Sequence, residues 1–283
     1  MDILLYNPLS RNGKDPKFID KIVKHLEHEG RTVQVEDILK VGNVDEFIHQ
    51  LHPEDRVILV GGDGTLNRLV NVIHGKTFTQ DLDMYQAGTG NDFIRSLNTS
   101  DKIVSLKPYI ERIPTITFND QKKFFLNGAG IGMDGYIASL VNHAKGKKNK
   151  VNYFKNTLKG FVLFKPMKIK FTVDGKTYED EKVWLASVMN APYFGGGMKI
   201  APDANRSQDE LELVLIRKIP KFMLFLIFPT IYSGKHVRFK KWVKIYKGKQ
   251  FELAFEKDTY MQIDGEDEYP IRSIKVDAYQ SKK

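Results

Sequence analysis

Residues 56–75, RVILVGGDGTLNRLVNVIHG, constrain the fold more than any other stretch of this chain. A near-continuous apolar run, Arg56 to Val60, enters Gly61-Gly62-Asp63-Gly64-Thr65, and an amphipathic run follows. A strand that is apolar at every position is buried on both faces, as in a parallel sheet covered by helices. Parallel neighbours need crossover connections, so strand and helix must alternate around it. The flanking segments do alternate. DILLYN (2–7) reads as a strand, and a helix is expected over 16–29, with Asp15 as N-cap, Pro16 at its first position and Gly30 just past its end. Phe18, Ile19, Ile22, Val23 and Leu26 form its apolar stripe. Further strands are expected over 31–38 and 83–90, a short helix capped by Asn43 over 43–52, and a helix over 66–75.

From about residue 119 the texture changes to alternating and β-branched runs broken by Gly, Asp and Asn, notably over 122–135, 167–191, 209–218, 242–256, 259–266 and 273–279. That pattern predicts an antiparallel sandwich or barrel. Two helical interruptions are expected, over 134–146 and in the apolar stretch before Tyr232. The domain boundary is placed at 118/119: an α/β domain over 1–118 and a β domain over 119–283, with the C-terminal residues allowed to return to the first domain.

The absence of cysteine excludes disulfides, thiolate metal sites and cysteine nucleophiles, and suits a reducing cytosol. The N-terminus lacks the basic and long apolar regions of a signal peptide. The longest strongly apolar stretch, 222–232, is shorter than the ~20 residues of a membrane span and contains Pro229. A cytoplasmic protein, at most peripheral to a membrane, is expected. The formal net charge is +9, and the excess is local: 145–170 holds nine Lys and 217–249 holds ten Lys or Arg, with no acid in either. Both interleave charge with aromatic and aliphatic residues. A solvated surface over core aromatics, an anionic membrane surface and a nucleic acid backbone all remain open on charge alone. No recognised nucleic-acid module is present, so no nucleic acid partner is expected.

A glycine-rich loop leaving a parallel strand can bring backbone N–H groups close to a ligand, because no Cβ intervenes. The helix that follows presents its positive end at the same place, which favours phosphate. Asp63 adds a hard oxygen for Mg²⁺, directly or through water. A second such turn, AGTGND (87–92), leaves the next expected strand with Asn91 and Asp92 at its tip. GGDGT is neither G-x-x-x-x-G-K-[ST] nor G-x-G-x-x-G, so spacing alone leaves a nucleotide site and an ordinary tight turn both open.

NPLSRNGK (7–14), GGDGTLNRLVN (61–71) and GTGNDFIR (88–95) together resemble the catalytic domain of the diacylglycerol kinase family of bacterial lipid kinases, which is related more distantly to sphingosine, ceramide and NAD kinases. FLNGAGIGMDG (125–135), MKIAPDANRSQDELELVLI (198–216) and IDGE (263–266) fall where that family has its later motifs. GGDGT is shared with NAD kinases; its pairing with GTGNDF marks the lipid-kinase branch. The resemblance implies two lobes of the NAD kinase/diacylglycerol kinase-like type: an N-terminal α/β nucleotide-binding domain with a parallel sheet and a C-terminal antiparallel β-sandwich domain, with the active site in the cleft between them. By motif match, Asn7 and Ser10 lie by the nucleotide. Gly61, Gly62, Asp63, Gly64, Thr65 and Asn67 cradle ATP phosphates and Mg²⁺, Gly88 and Thr89 complete the wall, and Asp92 lies nearby. Glu266 matches the general base; without the resemblance it reads as a turn carboxylate in the acidic stretch DGEDEY. Arg206, Asp209 and Leu211 match a structural metal site formed partly by backbone carbonyls.

The chain departs from the family pattern at Glu210, where many relatives have Gly, and at 37–39, Asp-Ile-Leu, where a Thr is expected. It also lacks an Asp on the strand before FFLN, where Thr115, Thr117 or Asp120 stand. The expected function is ATP- and Mg²⁺-dependent phosphorylation of a lipid hydroxyl, diacylglycerol to phosphatidic acid, by an enzyme that meets its lipid at an anionic membrane surface and is compatible with a homodimer. A soluble NAD kinase is the alternative enzyme, and a non-catalytic lipid- or nucleotide-binding regulator the alternative of another class. GTGNDF and the basic, aromatic surface weigh against the first, and the retention of Asp63 and Glu266 against the second. Diacylglycerol, phosphatidylglycerol, a polyprenol and a sphingoid base all offer a primary hydroxyl beside apolar chains. Asp134 reads as the N-cap of the helix that begins there, with a cleft-lining role as the alternative.

Overall fold

The apolar run of residues 57–60 is indeed a central parallel strand. The computed structural model describes residues 1–10, 15–86, 91–144 and 150–279, the side chains of 150–153 excepted. It divides into two compact units, Met1–Arg112 and Ile113–Lys283.

In the first unit the order is β1 (Asp2–Tyr6), α1 (Pro16–His28), β2 (Val33–Asp37), α2 (Val44–Gln50), β3 (Arg56–Val60), α3 (Asp63–Ile73), β4 (Asp81–Tyr85), α4 (Asp92–Leu97), β5 (Ile103–Ser105) and α5 (Lys107–Ile110). The sheet runs β2-β1-β3-β4-β5. The first four strands are parallel, and β5 is an antiparallel edge that the sequence pattern did not reveal. Leu4, Ile58 and Val60 pack on the α1 residues Ile19, Ile22 and Leu26. Ile3, Leu5, Val57 and Leu59, which alternate with them, are equally buried. Both faces of β1 and β3 are therefore covered.

The chain leaves β1 toward β2 on one side and returns to β3 on the other. The carboxyl ends of β1 and β3 are thus a topological switch point, where open α/β sheets take their ligands. Tyr6 pairs with Val60 and Leu59 with Met84. The turns after β1, β3 and β4 therefore emerge side by side. At the opposite end Asp2 is held by Arg31 (2.7 Å) and Arg56 (2.6 Å). Burial opposes its ionisation, yet hydrogen bonds and charge from the two guanidinium groups hold its carboxyl below the usual range.

The second unit contains β6 (Thr115–Phe118), β7 (Gln121–Phe124), β8 (Gly128–Gly132), α6 (Met133–Asn142), α7 (Lys150–Leu163), β9 (Met167–Val173), β10 (Lys176–Met189), β11 (Leu211–Arg217), α8 (Lys221–Ile227), β12 (Val243–Gly248), β13 (Gln250–Ile263) and β14 (Glu266–Asp277). The antiparallel path is β12-β11-β10-β8-β13-β14-β6-β7, with β9 joining β10 and β13. The long strands β10 and β13 change neighbours along their length, pairing with β9 in one half and β8 in the other. Register shifts between Val183 and Leu185 and between Ala254 and Thr259 accommodate the bend. One core lies within this arrangement, around Phe125, Phe171, Phe251 and Met261. The other lies where α6, α7 and α8 cover the sheet, around Phe161, Trp184, Ile216 and Ile227.

The division between units falls at Arg112–Ile113 rather than at 118/119, because Thr115–Phe118 hydrogen-bonds with β7 and β14. β14 is likewise built into the second sheet, so the chain through Asp277 stays with the second unit. The expected single run over 242–256 is broken at Lys249 into β12 and β13, which pair with different strands.

Candidate active site

The sequence-derived residues of the first unit converge at the switch point. Asn7 leaves β1 and donates through Nδ2 to Thr65 Oγ1 at 2.8 Å. Its Oδ1 accepts from Leu9 N, and its carbonyl accepts from both Ser10 N and Ser10 Oγ. Gly61 permits the close approach, since a Cβ there would lie 2.7 Å from that of Thr65. Asp63, Gly64 and Thr65 form the first turn of α3. Asn67 is buried one turn on, where Asn71 donates to its carbonyl. Gly88 and Thr89 lie outside the described residues.

Asp63 links the two glycine-rich turns. Its Oδ2 accepts from Asp92 N and its Oδ1 from Phe93 N, both at 2.9 Å. Asn91 accepts from Ile94 N at 3.1 Å. The positive end of α4 is thus saturated by a carboxylate and an amide. The neighbouring helix is left different: Gly62 is the N-cap of α3 and offers no side chain to its first N–H groups. A Cβ placed on Gly62 would meet nothing within 4 Å, so the space over that helix end is open. Of two adjacent helix N-termini, one is capped by side chains, Asp63 and Asn91; the other begins at a glycine with no side-chain cap among the described residues.

In the second unit Glu266 is exposed at the start of β14, paired with Ile263 across the two-residue turn Asp264-Gly265. Both turn residues have positive φ, 47° and 93°, the requirement of a tight hairpin turn that Asp-Gly satisfies. Asp264 accepts from the N–H groups of Leu126 (2.6 Å), Asn127 (2.8 Å) and Gly128 (3.1 Å). Asn142 donates to both Gly265 O and Asp267 Oδ1. The backbone that presents Glu266 is therefore fixed from two sides. Sequence reasoning missed Asp264 and Asn142; the Asp-Gly dipeptide between apolar strands was the available signal.

Arg206 belongs to the same polar cluster, donating to Leu126 O (3.2 Å) and Asn127 Oδ1 (2.9 Å). A guanidinium only donates, so any part of Arg206 in a metal site falls to its carbonyl. Leu211 opens β11 opposite Gly248. No group of three or more His, Cys, Asp or Glu suited to hold a metal occurs among the described residues. Asp120 sits with Asn119 in the positive-φ turn between β6 and β7.

Asp134 is not a helix cap. Gly132 holds that position, and Asp134 lies in the first turn of α6 with Oδ2 accepting from Ser187 Oγ at 2.6 Å. Gly130 makes room for this pair; a Cβ there would come within 1.9 Å of Oδ2. Burial pushes the Asp134 carboxyl above the usual range, against the lowering influence of Ser187 and Gln262. It lines a narrow cavity of about 60 Å³ whose other walls include Met133, Ile137, Phe161, Met198 and Ile227. Only Asp134 and Thr157 interrupt the apolar lining.

Comparison with known proteins assigns both units. Residues 3–117 match the diacylglycerol kinase catalytic domain, and residues 128–275 match the YegS C-terminal NAD kinase beta sandwich-like domain. The architecture is thus that of a two-domain kinase. The chain belongs to the diacylglycerol kinase family of lipid kinases. It is 29% identical over 232 residues to the "Putative lipid kinase YtlR" of Bacillus subtilis (strain 168), covering 75% of this chain and 74% of that one. It is 27% identical over 247 residues to a diacylglycerol kinase of Mycobacterium tuberculosis (strain CDC 1551 / Oshkosh), covering 82% and 78%. Its fold matches the crystal structure of a "putative diacylglycerol kinase from Bacillus anthracis str. Sterne" with a TM-score of 0.71 at 23% identity, over 99% of this chain and 92% of the other.

Proposed function

We propose that this kinase transfers the γ-phosphate of ATP, with Mg²⁺, to the hydroxyl of a membrane lipid, with diacylglycerol as acceptor and phosphatidic acid as product. The observation that carries the reading is the pair of helix ends at the switch point: Asp63 caps α4, while α3 begins at Gly62, where among the described residues a Cβ would meet nothing within 4 Å. That arrangement suits a polyphosphate laid on backbone N–H groups beside a carboxylate. The donor set also suits Mg²⁺, which uses one or two carboxylates together with phosphate oxygens and water rather than an all-protein cage. Asp63 and Asp92 would hold it, and its chemistry there is to neutralise charge on the β- and γ-phosphates.

Phosphoryl transfer depends mainly on alignment and charge. Asn7 and Thr65 hold the β1 and β3 turns in fixed relation, and Asp63 does the same for the β3 and β4 turns. Glu266, on a turn clamped by Asp264 and Asn142, takes the proton of the attacking hydroxyl. Asp134, whose carboxyl burial pushes above the usual range, is the polar group in the wall of the apolar cavity that would take the lipid chain. Among the described residues no helix is long and apolar enough to cross a membrane. The enzyme in this reading works from an anionic membrane surface.

The test is incubation with γ-labelled ATP, Mg²⁺ and mixed micelles of diacylglycerol, phosphatidylglycerol, a polyprenol or a sphingoid base, beside NAD. Label in diacylglycerol is expected. Label in NAD, or in no acceptor although ATP binds, contradicts the reading.

A further inference from the structure

Helices α7 and α8 are apolar on two sides. Their inner residues Phe161, Leu224 and Ile227 are buried and line the cavity that contains Asp134. Their outer residues are bare: Phe222 and Leu226 are 65% and 66% exposed, Val162 55% and Phe154 49%. Of fourteen large apolar side chains exposed among the described residues, eight fall within 154–163 and 222–239, so the exposure is concentrated rather than scattered. The residues are contiguous. Phe161 meets Phe225 edge-on at 5.5 Å, Phe154 lies 6.5 Å from Phe228, and Lys221 Nζ donates to Val162 O at 2.7 Å.

The charge carried by these two helices and their flanking segments has one sign. Lys155, Lys159, Lys165 and Lys235 are exposed, and none is ion-paired with a carboxylate among the described residues. The segments that carry them hold no acid. Nucleic acid would use the lysines and the aromatic rings but has no use for exposed Val162, Leu163 and Leu226. An anionic bilayer uses all three kinds of residue, with apolar side chains in the head-group region and lysines on the lipid phosphates.

We propose that the outer face of α7 and α8 is the surface by which this kinase docks on an anionic bilayer, with Phe222 and Leu226 inserting. The purpose of docking rests on the reading of the acceptor as a bilayer lipid: the same two helices roof the cavity, so docking brings its roof against the source of acyl chains. Docking itself is measurable without turnover.

The test is co-sedimentation with vesicles of phosphatidylcholine alone and of phosphatidylcholine with about one third phosphatidylglycerol. The parent is expected to bind only the anionic vesicles, and less as salt is raised. The double variant Phe222→Ser/Leu226→Ser should bind at least roughly tenfold more weakly, and Lys155→Gln/Lys159→Gln roughly fivefold more weakly per lysine. Both should keep the parent's melting temperature and its phosphorylation of a short-chain diacylglycerol in free solution. Equal binding to both vesicle types, or anionic binding unchanged in both double variants, overturns the docking surface and leaves the kinase reading intact. A parent that docks as described but phosphorylates no lipid upholds the surface and overturns the kinase reading.

Discussion

Two Asp-Gly pairs do related work in the two units and differ in what they leave exposed. Asp63-Gly64 opens a helix, and the carboxylate of Asp63 holds two N–H groups of the neighbouring turn. Asp264-Gly265 makes a hairpin turn, and the carboxylate of Asp264 holds three N–H groups of the 126–128 loop. In the first unit the clamping carboxylate is itself the residue proposed to meet the nucleotide and its Mg²⁺. In the second, the clamp and the proposed base are separate residues, because Glu266 follows the turn that Asp264 holds. Structural and chemical roles should therefore come apart under mutation at Asp264 and Glu266, and stay joined at Asp63.

The largest effect should fall on turnover. Glu266→Gln is expected to lower kcat by about 10²–10⁴-fold with ATP binding and melting temperature unchanged; kinetics beside thermal melts check it. Asp264→Ala should do the reverse first, destabilising the fold by roughly 2–4 kcal/mol in denaturant titration, since three N–H groups lose a charged acceptor. Asp264→Asn should recover part of this, as Asn tolerates the left-handed conformation.

Two glycines sharpen the contrast. Gly62 has extended backbone, φ −104°, and open space above it. Gly62→Ala should leave the melting temperature unchanged and raise the KM for ATP by about tenfold, as a methyl group enters the phosphate space. Gly265, at φ 93°, also has open space, but its backbone disfavours a side chain. Gly265→Ala should cost about 1–2 kcal/mol of stability without touching ATP affinity.

The smallest effect concerns pH, and its sign separates two of the buried aspartates, Asp134 and Asp2. Asp134 has a raised pKa, so its contribution is fully present while the carboxyl is protonated and is lost as pH rises from the ordinary aspartate range through the raised value. Asp134→Asn should therefore gain on the parent as pH rises above the ordinary aspartate range of about pH 4, measured by guanidinium melts. Asp2 has a lowered pKa and acts oppositely; its contribution disappears as pH falls through the lowered value.

Much of the first unit was readable because its signals are local. Asp15, Pro16 and the Ile19-Ile22-Leu26 stripe placed α1 within a residue of its observed end. The start of α3 was placed at 66, three residues late, because glycines at 62 and 64 look like a loop although Gly62 serves as N-cap. Helix α7 was passed over, since its sequence has no acidic residue in the first turn and presented itself as charge rather than periodicity. Strand β6 was read with the first unit because its partner β14 lies some 160 residues away, a pairing that no window of local sequence contains. The turns that carry residues 61–65 and 266 were legible from their glycines. The roles of Asp264, Asn142 and Arg206 were not, because each depends on a loop brought near by strand pairing.

The most direct measurement is calorimetric titration of MgATP into the parent, Asp63→Ala and Glu266→Gln, each first checked for a folded thermal transition. Binding is expected in the parent and in Glu266→Gln, and is expected to vanish in Asp63→Ala. Undiminished binding by a folded Asp63→Ala protein, with phosphorylation retained at limiting Mg²⁺, would contradict the assignment of the nucleotide to the Asp63-linked turns.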